Sequence, residues 1–158
     1  MSDRQPDNPW FAPDGLRFEC TECGACCTGP PGAVRFDEQE ADAISERLGI
    51  TRRQFLDRYT RVAGRSRSLI ELETFHGFDC VFLDREAVPG KAVCAIYDVR
   101  PTQCRTFPWW REHTRSPKAW ARAARACEGV NRGAFVPVEQ ITREIDRQRR
   151  ADVRAMRG

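Results

Sequence analysis

The run "FECTECGACCTG" sets Cys20, Cys23 and Cys26 at three-residue intervals, with Cys27 directly after. A C-x2-C-x2-C segment wraps its backbone around one centre and turns its amides toward it. That suits a polynuclear iron–sulfur cluster held by three local thiolates and a remote fourth. Zinc sites are more often built from two separated C-x2-C pairs, and no second pair exists in this chain. Four further thiols arrive singly, at Cys80, Cys94, Cys104 and Cys127, with 13, 9 and 22 residues between them. Long-range folding has to gather them, so any fold this chain adopts must satisfy its thiols as well as its apolar core.

The chain has 158 residues, 41% hydrophobic and 31% charged, the length of one globular domain. Eight cysteines exceed ordinary usage for a cytosolic protein yet fall short of a disulfide scaffold. No basic segment followed by an apolar stretch opens the sequence, and no run of 18 apolar residues occurs. The expected compartment is the cytoplasm, with no membrane partner. Thiols stay reduced there, so dense cysteines read as metal or redox sites before they read as bridges. The formal charge of +3 counts every cysteine as neutral. Ligation as thiolates would make the total negative, which leaves overall charge a poor argument for a nucleic-acid partner.

Successive side chains on an extended or irregular backbone point in different directions, so Cys26 and Cys27 are expected to face different ways. Eight ligands divide into four and four. One partition joins Cys20, Cys23 and Cys26 with Cys104, and Cys27 with Cys80, Cys94 and Cys127, either as two centres or as one dinuclear centre with a bridging thiolate. The bland alternative is a purely structural zinc, whose binding energy would supplement one modest core.

The expected fold class is α+β: two N-terminal helices, a small irregular sheet carrying Cys80 and Cys94, and a C-terminal helix, stapled by metal into a single small domain. Residues 1–17 read as an irregular arm whose Trp10 and Phe11, with Phe18 just beyond, tuck against the body. Asp37 with Glu40, and Thr51 with Gln54, fit the capping-box spacing. Phe36 and Ala41, then Ile50 and Phe55, supply the apolar staples, and Gly49 ends the first helix. "LIELETF" alternates as a half-buried strand with Ile70 and Leu72 inward. "CVFLD" and "AVCAIYD" flank a Pro89-Gly90 turn. A short helical turn in "RPTQCRTFP" carries Cys104 between Pro101 and Pro108. "KAWARAARACEG" fits helix by composition and strand by partial alternation. Val138, Ile141 and Ile145 stripe a last helix that is expected to fray beyond Gln148.

These blocks together resemble the YkgJ-type cysteine-cluster family, the CxxCxxCC zinc- or iron-chelating domain. The resemblance runs from "FECTECGACCTG" through "LGITRRQFLDRY", "CVFL" and "CAIYDVRPTQCRTFPWW" to "CEGVNRG". It implies a metal-binding domain over 18–133, and the striped last helix gives 134–158 as a C-terminal helix packing on it. It further implies that Cys20, Cys23, Cys26, Cys27, Cys80, Cys94, Cys104 and Cys127 chelate zinc or iron, the latter as an iron–sulfur cluster. A portion of bacterial flagellin lysine methylases looks similar, which keeps a metal-dependent enzyme related to protein lysine methylation as an alternative. This chain is much shorter and shows no G-x-G-x-x-G loop, so the methylase activity itself is not carried over.

Arg100 and Arg105 of "RPTQCR" are expected to support the cofactor by charge-assisted hydrogen bonds to thiolates or neighbouring carboxylates. Tyr97 reads as a core aromatic. His76 and His113 each lack a neighbouring ligand pair, and read as surface or hydrogen-bonding residues. From Arg105 to Arg125 six cations face one acid, Glu112, with Trp109, Trp110 and Trp120 interleaved. That stretch could serve an RNA or protein partner, but such a run is more often a solvated face over packed tryptophans. A closed metal-binding module is the leading reading. With all eight thiols available as ligands, no coordination position need stay open for Lewis-acid catalysis.

Overall fold

The computed structural model describes residues 8–29 and 32–157, so Pro30 and Pro31 of the "TGPPGA" closure and residues 1–7 of the N-terminal arm lie outside the described residues. In chain order the elements are β1 (Leu16–Phe18), α1 (Glu38–Leu48), α2 (Arg52–Tyr59), β2 (Thr60–Ala63), β3 (Ser66–Leu69), β4 (Glu71–Thr74), β5 (Gly77–Cys80), β6 (Leu83–Asp84) and β7 (Val93–Cys94). They continue with α3 (Thr102–Thr106), α4 (Arg111–Thr114), α5 (Pro117–Ala126), β8 (Val130–Val136) and α6 (Val138–Arg157). The class is α+β. The strands pair as four separate antiparallel ribbons, β1 with β8, β2 with β3, β4 with β5 and β6 with β7. The chain divides into two compact units, one of residues 1–21 with 108–146, the other of 22–107 with 147–158.

In the second unit both capping boxes form. Asp37 accepts from the Glu40 N–H at 2.8 Å while the Glu40 carboxylate accepts from the Asp37 N–H at 2.9 Å. Thr51 and Gln54 exchange the same two bonds at 3.1 and 2.9 Å. Gly49, left-handed at φ 69°, closes α1. The staple residues then build the core: Phe36, Ala41, Ile44 and Phe55 are buried with Leu69, Phe82 and Ile96, and Ile50, Cys80 and Cys94 pack against them. Burial of large apolar side chains at successive helix turns is what fixes α1 on α2.

The segment "LIELETF" departs from the single strand expected of it. β3 ends at Leu69, and Ile70 is a junction whose N–H donates to Tyr59 O (2.9 Å) and whose carbonyl accepts from Val81 N (3.0 Å). Beyond it β4 pairs with β5 in the register Glu71 to Cys80 and Leu72 to Asp79. Glu71 can share a face with Cys80 because Arg61 binds its carboxylate at 2.9 and 3.1 Å. Leu72 is left 49% exposed. Hydrophobic alternation alone assigns Leu72 to the buried face, and the structure does not keep it there.

In the first unit the last residues of the expected arm form a strand, β1. It pairs with β8 through Leu16 to Val136 and Arg17 to Phe135, then jumps to Phe18 opposite Val130 across a bulge. Gly129 has to be glycine, because a Cβ there would collide with the Glu19 carbonyl. Trp10 Nε1 donates to Thr114 O at 2.7 Å, Phe11 is buried, and Phe18 meets Trp109 edge-on at 6.0 Å. The ambiguous "KAWARAARACEG" is the helix α5, with Ser116 capping the Ala119 N–H at 3.1 Å and Pro117 in its first turn. Ala119, Trp120 and Ala123 form its buried face.

The last helix does not fray where expected. It continues to Arg157 because Gln148, Ala151 and Ala155 are buried, although Val153 and Met156 are exposed. Gln148 accepts from Thr106 Oγ1 at 2.6 Å and donates to Asp152 at 2.9 Å, and Arg154 reaches Asp37 at 3.0 Å. These contacts anchor the turns that apolar spacing leaves bare.

Candidate metal centre

Cys23, Cys26 and Cys27 lie in a loop pressed against β6 and β7. Glu22 holds a left-handed φ of 57°, its carbonyl accepts from Ala92 N at 2.8 Å, and its carboxylate meets Lys91 at 3.2 Å. Gly24, also left-handed at φ 79°, approaches so closely that a Cβ would stand 2.8 Å from the Ala92 Cβ. Ala25–Cys27 then form a 3₁₀ turn.

That turn corrects the expectation that Cys26 and Cys27 face apart, for their Sγ atoms lie 3.5 Å from one another. The expectation assumed extended or irregular backbone, whereas a 3₁₀ turn with free χ1 rotation lets consecutive sulfurs meet. Two sulfurs on one tetrahedral zinc at about 2.3 Å are separated by about 3.8 Å. The observed spacing is therefore suited to two ligands of the same ion or to a bridging pair.

Three thiols from other elements lie within electrostatic reach of them. Cys27 feels the charges of Cys26, Cys104 and Cys80, and Cys104 those of Cys80, Cys26 and Cys94. Cys80 stands at the end of β5, Cys94 at the end of β7 and Cys104 in α3. The grouping crosses the four-and-four partition, because Cys104 neighbours thiols from both halves. Cys20 and Cys127 belong to the other unit, on segments that run side by side. Glu19 N donates to Gly129 O at 3.0 Å, and Thr21 Oγ1 donates to Glu128 at 2.6 Å. Cys20 is exposed and Cys127 buried. Among the described residues no three Cys, His, Asp or Glu side chains already converge in ligating geometry.

The environment differentiates the thiols. Cys26 is held down to about 7, chiefly by the hydrogen bond with Cys27 and helped by its own backbone N–H and by Arg100. Cys27 is pushed far up by that same hydrogen bond and then by burial, so the pair releases one proton readily and retains the other. Burial raises Cys80 to about 11 and also raises Cys94 and Cys104.

Arg100 bears on Cys26, Cys94 and Cys104 alike. Its guanidinium lies 3.8 Å over the Tyr97 ring, and its Nε is buried without a hydrogen-bond partner. An orphaned cationic donor among thiols matches a thiolate or sulfide acceptor, so this donor set fits a sulfur-ligated metal. Arg105 is positioned differently: it donates to Arg100 O at 2.9 Å and Asp98 O at 3.1 Å, clasping the loop backbone. Tyr97 is not a core residue as expected. Ile96 takes the core position, and Tyr97, 63% exposed, begins a 3₁₀ turn on the surface beneath Arg100. His76 is exposed at the β4–β5 turn, and His113 Nδ1 lies 3.2 Å from Pro108 O. Trp109 and Trp120 are buried and stacked at 5.6 Å, unavailable as platforms for bases.

Two supports escaped the sequence reading. Glu40, besides capping α1, accepts from the Thr102 N–H at 2.7 Å and from its hydroxyl at 2.6 Å, fixing the start of the helix that carries Cys104. Gln103 adds bonds to Ala33 O and Arg35 N at 2.8 and 3.0 Å. Asp79, next to Cys80, binds Arg85 through both oxygens at 2.8 and 3.0 Å and accepts from Thr28 at 2.5 Å, tying the end of the cysteine loop to β5. An acid adjoining a cysteine in a strand was the available signal for Asp79, and nothing local pointed to the Glu40–Thr102 bonds.

Arg85 holds the Asp79 carboxyl down to about 2, with Thr28 assisting. A carboxylate depressed in the folded state stabilises it above the ordinary value of about 4, and that contribution fades as pH falls toward 2. Asp79→Asn is expected to lower stability by about 3 kcal/mol at neutral pH by stranding Arg85. Urea unfolding at pH 7 and pH 3 checks this, since the gap from wild type should narrow at the lower pH.

Residues 19–128 match the CxxCxxCC family, described as a "putative zinc- or iron-chelating domain". The chain belongs to this family. It is also similar to the uncharacterized protein MJ0661 of Methanocaldococcus jannaschii, at 32% identity over 96 residues, 61% of this chain and 47% of that protein. The chain thus spans about half the length of that relative. No solved structure matches the chain. The matched family segment contains all eight cysteines, and among the described residues no helix is long and apolar enough to cross a membrane.

Proposed function

We propose that this protein is a metal-binding protein whose unit of residues 22–107 with 147–158 holds zinc or iron through Cys26, Cys27, Cys80, Cys94 and Cys104, joined by Cys23. The observation that carries the reading is the pair of Cys26 and Cys27 sulfurs 3.5 Å apart, with Cys80, Cys94 and Cys104 of three other elements within electrostatic reach. Five thiolates exceed the four that one tetrahedral zinc takes. The grouping therefore favours a centre of more than one metal atom, either an iron–sulfur cluster or zinc ions bridged by thiolate. Cys20 and Cys127 lie on adjoining segments of the other unit.

A sulfur-saturated metal supplies structural cross-linking or one-electron transfer rather than an open Lewis-acid position. The chain's own residues set up that chemistry. Asp79 and Thr28 hold the cysteine loop on β5, Glu40 and Gln103 fix α3 under Cys104, and Arg100 supplies positive charge to three of the sulfurs. Arg105 steadies the loop on which Arg100 rides. A reducing compartment, the cytoplasm, keeps such thiols available.

Metal and acid-labile sulfide content, with an absorption spectrum, on protein purified without oxygen tests the proposal. Iron with equal sulfide and a broad violet absorption assigns the cluster, and colourless protein holding zinc assigns the zinc form. Protein that takes up neither metal contradicts the proposal.

A further inference from the structure

We infer that Arg100 is a positioning residue for the centre: its Nε–H is the hydrogen-bond donor to metal-bound sulfur among Cys26, Cys94 and Cys104, and stays unsatisfied until those thiols are ligated. This rests on the metal reading above and assigns a role within it. Three observations converge on this residue. Its Nε is buried and lacks any acceptor. The Tyr97 ring, 3.8 Å away, holds the guanidinium, while Arg105 grips the Arg100 carbonyl at 2.9 Å, so side chain and backbone are both restrained. Its charge falls on thiols from three different elements, the 3₁₀ turn, β7 and α3.

The contrast with Arg85 sharpens the assignment. Arg85 lies in the field of Cys27 and Cys23, but both oxygens of Asp79 already engage it. No ion pair to Arg100 occurs among the described residues. A neutral thiol is a weak acceptor, whereas a metal-bound thiolate or sulfide is a strong one for a charged donor. Arg100 therefore gains its partner on loading, and the benefit appears in the loaded protein alone.

That asymmetry makes the test specific. Full-length wild type, Arg100→Gln and Arg100→Lys would be titrated with Zn2+ against a competing chromophoric chelator, and the metal-free proteins would be unfolded thermally. Arg100→Gln is expected to bind Zn2+ about tenfold or more weakly, the worth of one charge-assisted hydrogen bond. Arg100→Lys should recover part of this, because it restores the charge without the fixed N–H. Metal-free unfolding temperatures should fall only slightly, by the loss of the stacking on Tyr97, and by less than those of the loaded protein. Arg100→Gln binding Zn2+ as tightly as wild type, or losing as much stability without metal as with it, would overturn the inference. Wild type that binds no Zn2+ would overturn the metal reading and the Arg100 role with it, a distinguishable outcome.

Discussion

Cys26→Ser and Cys27→Ser, made separately, are expected to abolish the same metal. Their sulfurs are 3.5 Å apart on one 3₁₀ turn, so a centre that binds one draws in the other. Loss of either should remove the whole ion or cluster from the site. Structural zinc contributes on the order of 10 kcal/mol to the domains it organises, and losing one thiolate forfeits much of that. Cys80→Ser and Cys104→Ser should behave alike, since these thiols share the same electrostatic neighbourhood. Metal analysis of each variant checks this. Retention of half the metal in Cys27→Ser and a different half in Cys26→Ser would instead assign the two sulfurs to separate centres.

Metal uptake should also depend steeply on pH, and the sign follows from the state of the thiols. Burial raises Cys80, Cys94 and Cys104, and the hydrogen bond with Cys26 raises Cys27. These four are protonated at neutral pH, whereas Cys26, held near 7, is partly thiolate. A metal binds thiolates, so loading must expel the protons. Each thiol that loses its proton on binding contributes about a tenfold gain in apparent affinity per pH unit. Zinc or iron binding should strengthen from pH 6 to 8 by several orders of magnitude, and calorimetry in buffers of different ionisation enthalpy should register release of several protons. Affinity that stays flat across this range would mean that these thiols are not the ligands.

The parts of this fold that were legible in the sequence are those governed by local chemistry. The boxes at Asp37 and Thr51, the stop at Gly49 and the Pro101 start of α3 each rest on residues a few positions apart, and all form. The elements that read wrongly depend on partners far along the chain. Leu72 is exposed while its strand neighbour Glu71 is half-buried against Arg61, ten residues away. The last helix persists past Gln148 because Ala151 and Ala155 pack closely, and small residues give hydrophobic periodicity little amplitude. Tyr97 lost its core place to Ile96 by one residue, the shift a 3₁₀ turn introduces.

The candidate site follows the same division. Spacing marked the run Cys20, Cys23, Cys26 and Cys27, whereas Cys80, Cys94, Cys104 and Cys127 arrive singly, and the neighbours of Cys104 follow from contacts that begin at Glu40 and Gln103. Asp79 and Glu40 carry no motif, and their importance lies in which distant hydroxyls and guanidinium groups fold against them. The orphaned Arg100 Nε is likewise visible only once the surrounding side chains are in position.

X-ray absorption at the metal edge of the loaded full-length protein tests the central claim most directly, because it counts ligand atoms without reference to activity. The account predicts an all-sulfur shell at about 2.3 Å with a second metal atom beyond it. A shell containing nitrogen or oxygen, or a solitary metal atom, would contradict a polythiolate centre built from Cys26, Cys27, Cys80, Cys94 and Cys104.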